Sequence, residues 1–404
     1  SGAGGGAMTR PFEVLRPFDL RAHTALKWQL HGPDVLPLWV AEMDVLPAPE
    51  VVAALTEAIR TGDTGYPASG RPYARAFAEF AASRWNWAPD SDHTLQCADV
   101  MTGIRLLLAR LTEPGGPVLI PTPVYPPFAG TVRELGRRVV PVALTEQGRL
   151  DVPAIGAALA ALASDTGARP GPGAPVLLLC SPHNPTGVVH TGDELAAVAA
   201  LAARFGAQVV IDEVHGPLVP APGEFVAWLS VADTGFVVTS AAKAFNLAGL
   251  KAGLIVAAPR AAPVLATLPD STPYGASHLG VVGHAAAYGS DPRWLDAVNA
   301  NIALNVDRLG ALLAERIPAI GYQRPAATYL AWLDCRALDL GEDPARAFLE
   351  RGRVALTSGV AFGPGGQGFA RLNLACSDEV LTEAVDRMAV AVAAHAESKD
   401  GAGG

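Results

Sequence analysis

Lysine is rare in this chain, and two of its lysines lie close together. Among 30 basic residues only four are lysines, namely Lys27, Lys243, Lys251 and Lys399. Lys243 and Lys251 are eight residues apart in the segment TSAAKAFNLAGLKAG. A primary amine can form a Schiff base and readily loses its proton when desolvated, whereas a guanidinium does neither. The pair therefore indicates amine chemistry, with chance clustering as the alternative.

Two polar side chains follow runs that the sequence predicts to be buried strands. Asp212 ends the apolar run QVVID, and Asn184 lies in the turn SPHNPTG directly after the run VLLLC. A carboxylate at the buried end of a strand is unfavourable unless a cation faces it. The prolines and the glycine of the turn would hold Asn184 with its amide free to donate. Taken alone, Asp212 could cap a helix and Asn184 could belong to a simple turn.

A cradle for an anion is predicted beside these residues. Ser240 ends the run FVVTS three residues before Lys243, and Lys251 supplies a second cation. Upstream, the segment MTGIRLLL is typical of a helix start opened by Gly103, whose free N–H groups would bind an anion. An amine, a carboxylate, an amide donor and an anion cradle are together what pyridoxal phosphate requires. The sequence therefore predicts a pyridoxal phosphate site.

Short apolar runs alternate with helical stretches through the middle of the chain. Helices are predicted over 191–205 and after Asp151. Five buried strands are predicted, at 118–121, 176–180, 208–212, 236–240 and 253–257. This alternation is typical of a mostly parallel α/β sheet covered on both faces, which binds ligands at the carboxyl ends of its strands.

The pattern changes after residue 290. One long helical pattern covers 291–317, a later strand is predicted at 371–375, and a final amphipathic helix begins at about Ser377. We predict that the chain divides into a remnant outside the fold (1–7), an N-terminal segment that joins the small domain (8–47), a large cofactor-binding domain (48–290), a small α+β domain (291–396) and a disordered tail (397–404).

Charge and composition exclude several classes of partner. The chain has 39 acidic against 30 basic residues, which argues against nucleic acid or an anionic membrane as a partner. No uncharged apolar stretch reaches the roughly 18 residues that a membrane span needs. The cysteines and several histidines lack the spacing of disulfide or metal sites, which fits a reducing cytoplasm and predicts no metal; these are Cys97, Cys180, Cys335, Cys376, His183, His278 and His284.

The chain resembles the fold-type I pyridoxal phosphate enzymes of the aminotransferase class I/II superfamily. The order of Asn184 (SPHNPTG), Asp212 (IDEVH), Lys243 (SAAKAFNLAGLKAG) and Arg371 (RLNLAC) carries this resemblance. More narrowly, the segments LPLWVAEMDVLPAPEV, DTGYP, TPVYPPF and GVAFGPGGQGFARLN resemble MalY/PatB-type cystathionine β-lyases. The resemblance covers about residues 12–395. It implies a mostly parallel seven-stranded sheet in α/β/α layers, with a smaller α+β domain.

The resemblance also implies a role for each site residue. Lys243 would hold the cofactor through a Schiff base, and Asp212 would pair with the pyridine nitrogen. Arg371 would bind the substrate carboxylate, with Asn184 and Ala41 as further substrate contacts. The other implied cofactor contacts are with the phenolate oxygen (Asn184 and His215), with the ring face (Tyr125) and with the phosphate (Ser240, Lys251, Gly103, Ile104 and, from a second subunit, Tyr66).

A homodimeric, cytoplasmic enzyme acting on an amino acid is what this resemblance implies. The main expectation is a carbon–sulfur β-lyase that cleaves cystathionine or cysteine S-conjugates to a thiol, pyruvate and ammonia. An aminotransferase, which would use the same residues, is the alternative, and a cofactor-binding regulatory protein is a third. Without the motif matches, Tyr66 and Tyr125 could be ordinary half-buried aromatics and Arg371 a surface arginine.

Overall fold

A computed structural model describes residues 12–68, 70–166, 174–220 and 224–400. The α-helices in these ranges are α1 (Pro17–Leu20), α2 (Leu26–Gln29), α3 (Pro49–Thr61), α4 (Arg71–Trp85), α5 (Val100–Leu111), α6 (Pro127–Glu134), α7 (Val152–Thr166), α8 (Gly192–Phe205), α9 (Trp228–Val231), α10 (His278–Tyr288), α11 (Pro292–Arg316), α12 (Pro344–Gly352) and α13 (Asp378–Asp400). The strands are β1 (Leu36–Pro37), β2 (Thr94–Cys97), β3 (Pro117–Thr122), β4 (Arg138–Ala143), β5 (Val176–Cys180), β6 (Gln208–Asp212), β7 (Phe236–Thr239), β8 (Gly253–Ala257), β9 (Gly321–Tyr322), β10 (Leu330–Asp334), β11 (Val354–Ala355), β12 (Thr357–Ser358) and β13 (Phe369–Asn373).

Seven strands form the central sheet in the order β2-β8-β7-β6-β5-β3-β4. All neighbours are parallel except at β8, which runs antiparallel to both β7 and β2. The residues just before β8 therefore lie at the same sheet edge as the residues just after the other strands. The predicted fold, a mostly parallel seven-stranded sheet between helical layers, is confirmed.

Alternate residues of each strand pack under different helices. Val118 and Ile120 of β3 lie on the face covered by α5 and α6. Leu119 of β3 and Leu177 of β5 lie on the face covered by α7 and α8. All four side chains are fully buried, and burying such a side chain contributes roughly 1.5–3 kcal/mol. Both faces of the sheet are thus apolar, and polar side chains reach ligands only at its ends.

The helix boundaries follow capping residues that are visible in the sequence. Thr191 caps α8 in a reciprocal capping box with Glu194, and Asp291 caps α11 ahead of a proline. The helices predicted over 191–205 and 291–317 are therefore confirmed. The final helix continues to Asp400, so the tail predicted from 397 is helical over its first residues.

A second, antiparallel sheet has the strand order β12-β13-β10-β9. The strand predicted at 371–375 begins two residues earlier, because Phe369 pairs with Asp334 of β10 and its ring stacks on Trp332. In the N-terminal segment, β1 pairs in parallel with β11. The division into two domains stays a prediction, and residues 1–7 and 401–404 lie outside the described ranges.

The helices of the described ranges include none long and apolar enough to cross a membrane. The same ranges hold no cluster of potential ligands for a metal ion. All four cysteines of the chain are buried and free.

Candidate active site

Polar side chains from several strand ends meet in one cavity at the carboxyl edge of the central sheet. The cavity encloses about 770 Å³ of space free of protein atoms, which includes its opening to solvent. Eight of the residues predicted from the sequence line it: Ala41, Tyr125, Asn184, Asp212, His215, Ser240, Lys243 and Lys251. Lys251 reaches this edge because β8 runs antiparallel to its neighbours.

Lys243 presents a buried amine to the cavity. Its Nζ donates to the carbonyl oxygen of Ala41 at 3.0 Å. Burial and the nearby positive charge of Arg371 lower the pKa of Lys243 to about 8. Near pH 8 and above a substantial fraction of this amine is neutral, which suits both a nucleophile and a base.

Asp212 lies at the end of β6, buried in the same cavity. Its Oδ1 accepts a hydrogen bond from the N–H of Val214 at 3.0 Å. Residues 214–217 form a turn, and no helix that Asp212 could cap follows β6 before residue 220. Burial raises the pKa of Asp212 to about 7, and the positive charge of Lys243 opposes this rise. A cation placed against Asp212 would therefore stabilise its ionised form.

Arg371 on β13 is a buried arginine, not a surface one; it does not itself line the cavity but contacts the lining residue Asn184. Its Nη1 donates to Oδ1 of Asn184 at 2.9 Å, and its Nη2 donates to the carbonyl oxygen of Trp39 at 3.0 Å. Its Nε has no partner, and burial lowers the pKa of the guanidinium to about 10. Since Asn184 uses its oxygen for Arg371, its NH₂ group remains available for a ligand.

The start of α5 supplies the predicted anion cradle, with a lysine beside it. Asp99 caps the helix by accepting from the N–H of Thr102 at 2.7 Å, and Nζ of Lys251 lies 3.0 Å from its other carboxylate oxygen. Burial alone would raise the pKa of Asp99, but the hydrogen bonds from Thr102 and Lys251 outweigh it, so the pKa is lowered. Ser240 Oγ lines the cavity between the carbonyl of Ala252 at 2.9 Å and the N–H of Ala242 at 3.1 Å.

The predicted contacts of Gly103 and Ile104 with an anion are wrong, because both residues lie one helical turn after the start of α5. The N–H of Gly103 donates to the carbonyl of Asp99 at 2.9 Å, and both residues are buried away from the cavity. A Cβ at Gly103 would lie 2.8 Å from a methyl group of Val238, so glycine serves the packing of α5 on the sheet. The amides of Val100 and Met101, at the helix start and lining the cavity, are the ones that an anion can reach.

Two rings complete the cavity wall. His215 lies edge-on to the ring of Tyr329, its Nδ1 has no partner, and burial lowers its pKa to about 3. The imidazole is therefore neutral near pH 7 and able to donate one hydrogen bond. Burial, reinforced by the charge of Asp212, raises the pKa of Tyr125, so this phenol stays protonated.

Tyr66 lies on the surface of the chain, away from the cavity. Its side chain is 90% exposed, and it does not line the cavity. The single chain therefore gives Tyr66 no contact with the site, and the role predicted for it in a neighbouring subunit stays a prediction.

Sequence reasoning missed several groups that position the site. The Tyr329 hydroxyl donates to the carbonyl of Ala41 at 3.1 Å, Trp39 provides a carbonyl to Arg371, and Asp99 binds Lys251. An Asp directly before an apolar helical run is an N-cap signal, so Asp99 could have been found. The backbone carbonyls carry no sequence signal.

The polar groups of the cavity fit pyridoxal phosphate. Nδ1 of His215 and Nε of Arg371 are buried without partners, and buried polar atoms without partners are unfavourable. Lys243 offers the amine, Asp212 the carboxylate, and the start of α5 the amides for a phosphate. This donor set meets each requirement of the cofactor.

Glu213 gives the unliganded protein a predictable pH dependence. Its Oε1 accepts from the N–H of Trp228 at 2.6 Å, its Oε2 has no partner, and burial raises its pKa to about 8. The unfolded chain releases this proton above about pH 4.5, whereas the folded protein keeps it up to about pH 8. The free energy of unfolding therefore falls as the pH rises from about 4.5 to 8.

Glu213→Gln should make the midpoint of thermal unfolding fall less between about pH 5 and 8 than it does in the wild type. An equally steep fall in both proteins would contradict this assignment.

Comparisons with known proteins agree with this geometry. The sequence profile of the family described as Aminotransferase class I and II matches residues 33–388. A Mycobacterium tuberculosis protein named "Putative cystathionine beta-lyase" is 46% identical over 94% of this chain and 97% of its own length. The cystathionine beta-lyase of Corynebacterium glutamicum is 33% identical over 92% of this chain and 97% of its own. A solved structure from Corynebacterium diphtheriae, described as a "putative plp-dependent beta-cystathionase", has a TM-score of 0.86 and 34% identity over 95% of this chain and 99% of its own. These similarities confirm the resemblance predicted from the motifs.

Proposed function

The chain belongs to the aminotransferase class I and II family, and on this premise we propose that it is a pyridoxal phosphate-dependent carbon–sulfur β-lyase. The proposed reaction adds water to cystathionine or another cysteine S-conjugate and releases a thiol, pyruvate and ammonia. The observation that carries the proposal is one cavity lined by the Lys243 amine and the Asp212 carboxylate, with the buried Arg371 guanidinium hydrogen-bonded to its lining residue Asn184.

Lys243 and Asp212 would carry the proton chemistry. When bound, pyridoxal phosphate supplies an electron sink for negative charge at the substrate Cα. Lys243 would hold the cofactor by its amine and, once released, take the Cα proton on Nζ, for which a pKa of about 8 is suitable. Asp212 would keep a proton on the ring nitrogen, because the buried carboxylate gains a cationic partner there.

Arg371 and Asn184 would orient the substrate. The unpartnered Nε of Arg371 and the NH₂ group of Asn184 are donors available to a carboxylate and to a phenolate oxygen. Orientation by these groups would bring the substrate Cα–H within reach of Lys243. Once Cα is deprotonated, the thiolate leaves Cβ, and the resulting aminoacrylate hydrolyses to pyruvate and ammonia.

An aminotransferase is the second candidate, since the family includes both activities and both would use these residues. The test is to incubate the purified holoprotein with cystathionine, with and without a keto-acid acceptor. A β-lyase releases thiol and pyruvate in equal amounts without the acceptor. Product that depends on the acceptor, with a new amino acid formed from it, would show an aminotransferase. Absence of turnover under both conditions would favour a binding protein.

We also propose that the enzyme is a homodimer with shared sites. The helix α3 exposes Val52 and Ile59, seven residues apart, and the largely exposed side chain of Tyr66 follows shortly after it. Residues seven apart lie on one helix face, so this face of α3 carries two exposed apolar side chains. A two-fold axis here would bring Tyr66 of each chain toward the partner's cavity.

Tyr66→Phe should weaken cofactor retention by about 1.5–3 kcal/mol, the contribution of one hydrogen bond to a charged group. Mixing Tyr66→Phe with Lys243→Ala subunits should give hybrids with one doubly defective site and one intact site. Lyase activity should then recover on mixing, whereas recovery would be absent if each chain built its own site. A fully active monomer in sedimentation would also contradict the shared site.

We also propose that the enzyme is cytoplasmic. The four cysteines are free and buried, a pattern typical of proteins in a reducing compartment. Measuring activity and antigen in fractionated cells would test this location.

A further inference from the structure

One segment without regular secondary structure lies against both functional cations of the site. Residues 39–44, between β1 and α3, present the carbonyl of Ala41 to Nζ of Lys243 at 3.0 Å. The same segment presents the carbonyl of Trp39 to Nη2 of Arg371 at 3.0 Å. A shift of this segment would therefore displace acceptors from the amine and from the guanidinium together.

Side chains from other elements hold segment 39–44 in place. Asn373 Nδ2 donates to the carbonyls on either side of Ala41, at 2.7 and 2.6 Å. Asn246 binds both the N–H and the carbonyl of Met43 at 2.8 Å. Since the segment belongs to no helix or strand, such contacts determine where its carbonyls lie.

The third anchor is an ion pair between Lys27 and Asp44. Nζ of Lys27 lies 2.6 Å from Oδ1 of Asp44 and 3.3 Å from the carbonyl oxygen of Glu42. The two side chains are only 1% and 2% exposed, and no other ion pair in the described ranges has both partners buried. The N–H of Asp44 also donates to the carbonyl of Ala375 at 2.9 Å. The pair thus joins α2 to the active-site segment.

The rarity of lysine in this chain is a second, independent indication that Lys27 has a specific role. This chain uses arginine for most of its cations and has only four lysines, of which Lys243 and Lys251 line the cavity. An ammonium group is compact and rotates freely, so it can bind one carboxylate and one carbonyl in a small buried space, where a planar guanidinium is larger. Lysine at position 27 is therefore explained by the buried contact rather than by a need for surface charge.

We propose that the ion pair of Lys27 and Asp44 is a positioning element of the active site. The pair fixes segment 39–44 so that its carbonyl oxygens stay against Lys243 and Arg371. Neither partner lines the cavity, so the pair acts through the segment and does not touch the substrate. The inference rests on the proposed function, because it assigns the pair a task in substrate binding and in proton transfer.

The test compares Lys27→Met with the double variant Lys27→Met/Asp44→Leu, both as holoenzyme. The single variant leaves a buried carboxylate without its partner and should unfold at lower temperature, whereas apolar replacement of the whole pair should restore stability. Both variants should raise KM for cystathionine about tenfold, because the shift of segment 39–44 moves the Trp39 carbonyl that orients Arg371. A purely structural role would reduce the active fraction and leave KM unchanged. Arg308→Gln, which removes an exposed ion pair with Asp378, is the matched control.

A second measurement does not depend on turnover. The pH midpoint for modification of Lys243 by an amine reagent, followed by mass spectrometry of the apoprotein, should fall by about half a unit or more in both variants. The ammonium form loses its carbonyl acceptor, so the neutral form is favoured. The charges acting on Lys243 are Arg371 and Lys251, which lower its pKa, and Glu42 and Asp212, which raise it. Both variants keep all four residues, and of these only Glu42 lies in the segment that shifts.

The outcomes separate this proposal from the proposed function. A stable double variant with the KM and the Lys243 midpoint of the wild type would overturn the positioning role. A wild-type protein without lyase activity would contradict the proposed function, and the midpoint would still decide the role of the pair.

Discussion

Replacing Lys243 with alanine should lower β-elimination by about 10⁴-fold or more. Lys243 supplies the amine that meets the cofactor, and its pKa of about 8 suits it to take the Cα proton. The variant should still bind pyridoxal phosphate weakly, through the amides at the start of α5 and through Lys251. Pyruvate release and the visible absorption of lysine-bound cofactor measure the two effects.

Two controls separate the chemistry of Lys243 from its charge and from general damage. Lys243→Arg keeps a cation beside Ala41 but has no primary amine, so it should be as inactive as the alanine variant. Lys251→Ala should loosen cofactor retention while keeping the absorption of lysine-bound cofactor. Full activity and unchanged absorption in Lys243→Ala would contradict the whole assignment of the site.

Asp212→Asn should lower turnover by roughly three orders of magnitude while weakening cofactor binding less than about tenfold. Asparagine keeps the size of the side chain and can still accept from the N–H of Val214, so the local turn is preserved. What it removes is the negative charge that would hold a proton on the ring nitrogen. Measuring both kcat and the dissociation constant of the cofactor shows whether turnover falls much more than cofactor affinity does.

An unchanged rate in Asp212→Asn would show that the carboxylate serves only the turn after β6. Glu213→Gln is the matched control, because Glu213 is equally buried next to it but faces the N–H of Trp228. That variant should change the pH dependence of stability and leave turnover nearly as it is.

Much of the site was predictable because parallel strands end at one edge of a sheet. Asn184, Asp212 and Ser240 each follow an apolar run of the sequence, and runs of this kind are recognisable without any structure. The alternation of these runs with helices also predicted the layered fold. Arg371 was found only through motif resemblance, since nothing in its local pattern distinguishes it from other arginines.

The errors and omissions arise where tertiary contacts decide. Gly103 was taken for the anion-binding amide, but the cap by Asp99 starts α5 one turn earlier. Lys27 was noted as one of the four lysines, but no role was predicted for it. Its partner Asp44 is separated from it in the sequence by a turn, a strand and a loop, so the contact could not be recognised. The carbonyl contacts of residues 39–44 are backbone contacts, which no residue type signals.

Borohydride reduction of the holoprotein, followed by digestion and mass spectrometry, tests the central assignment most directly. We expect the mass of the reduced cofactor on Lys243 and on none of the other three lysines, because, among the lysines whose side chains the structure describes, Lys243 alone combines a buried amine of lowered pKa with the carboxylate of Asp212. Cofactor on Lys251 or Lys27, or a protein that retains pyridoxal phosphate with no lysine modified, would contradict it.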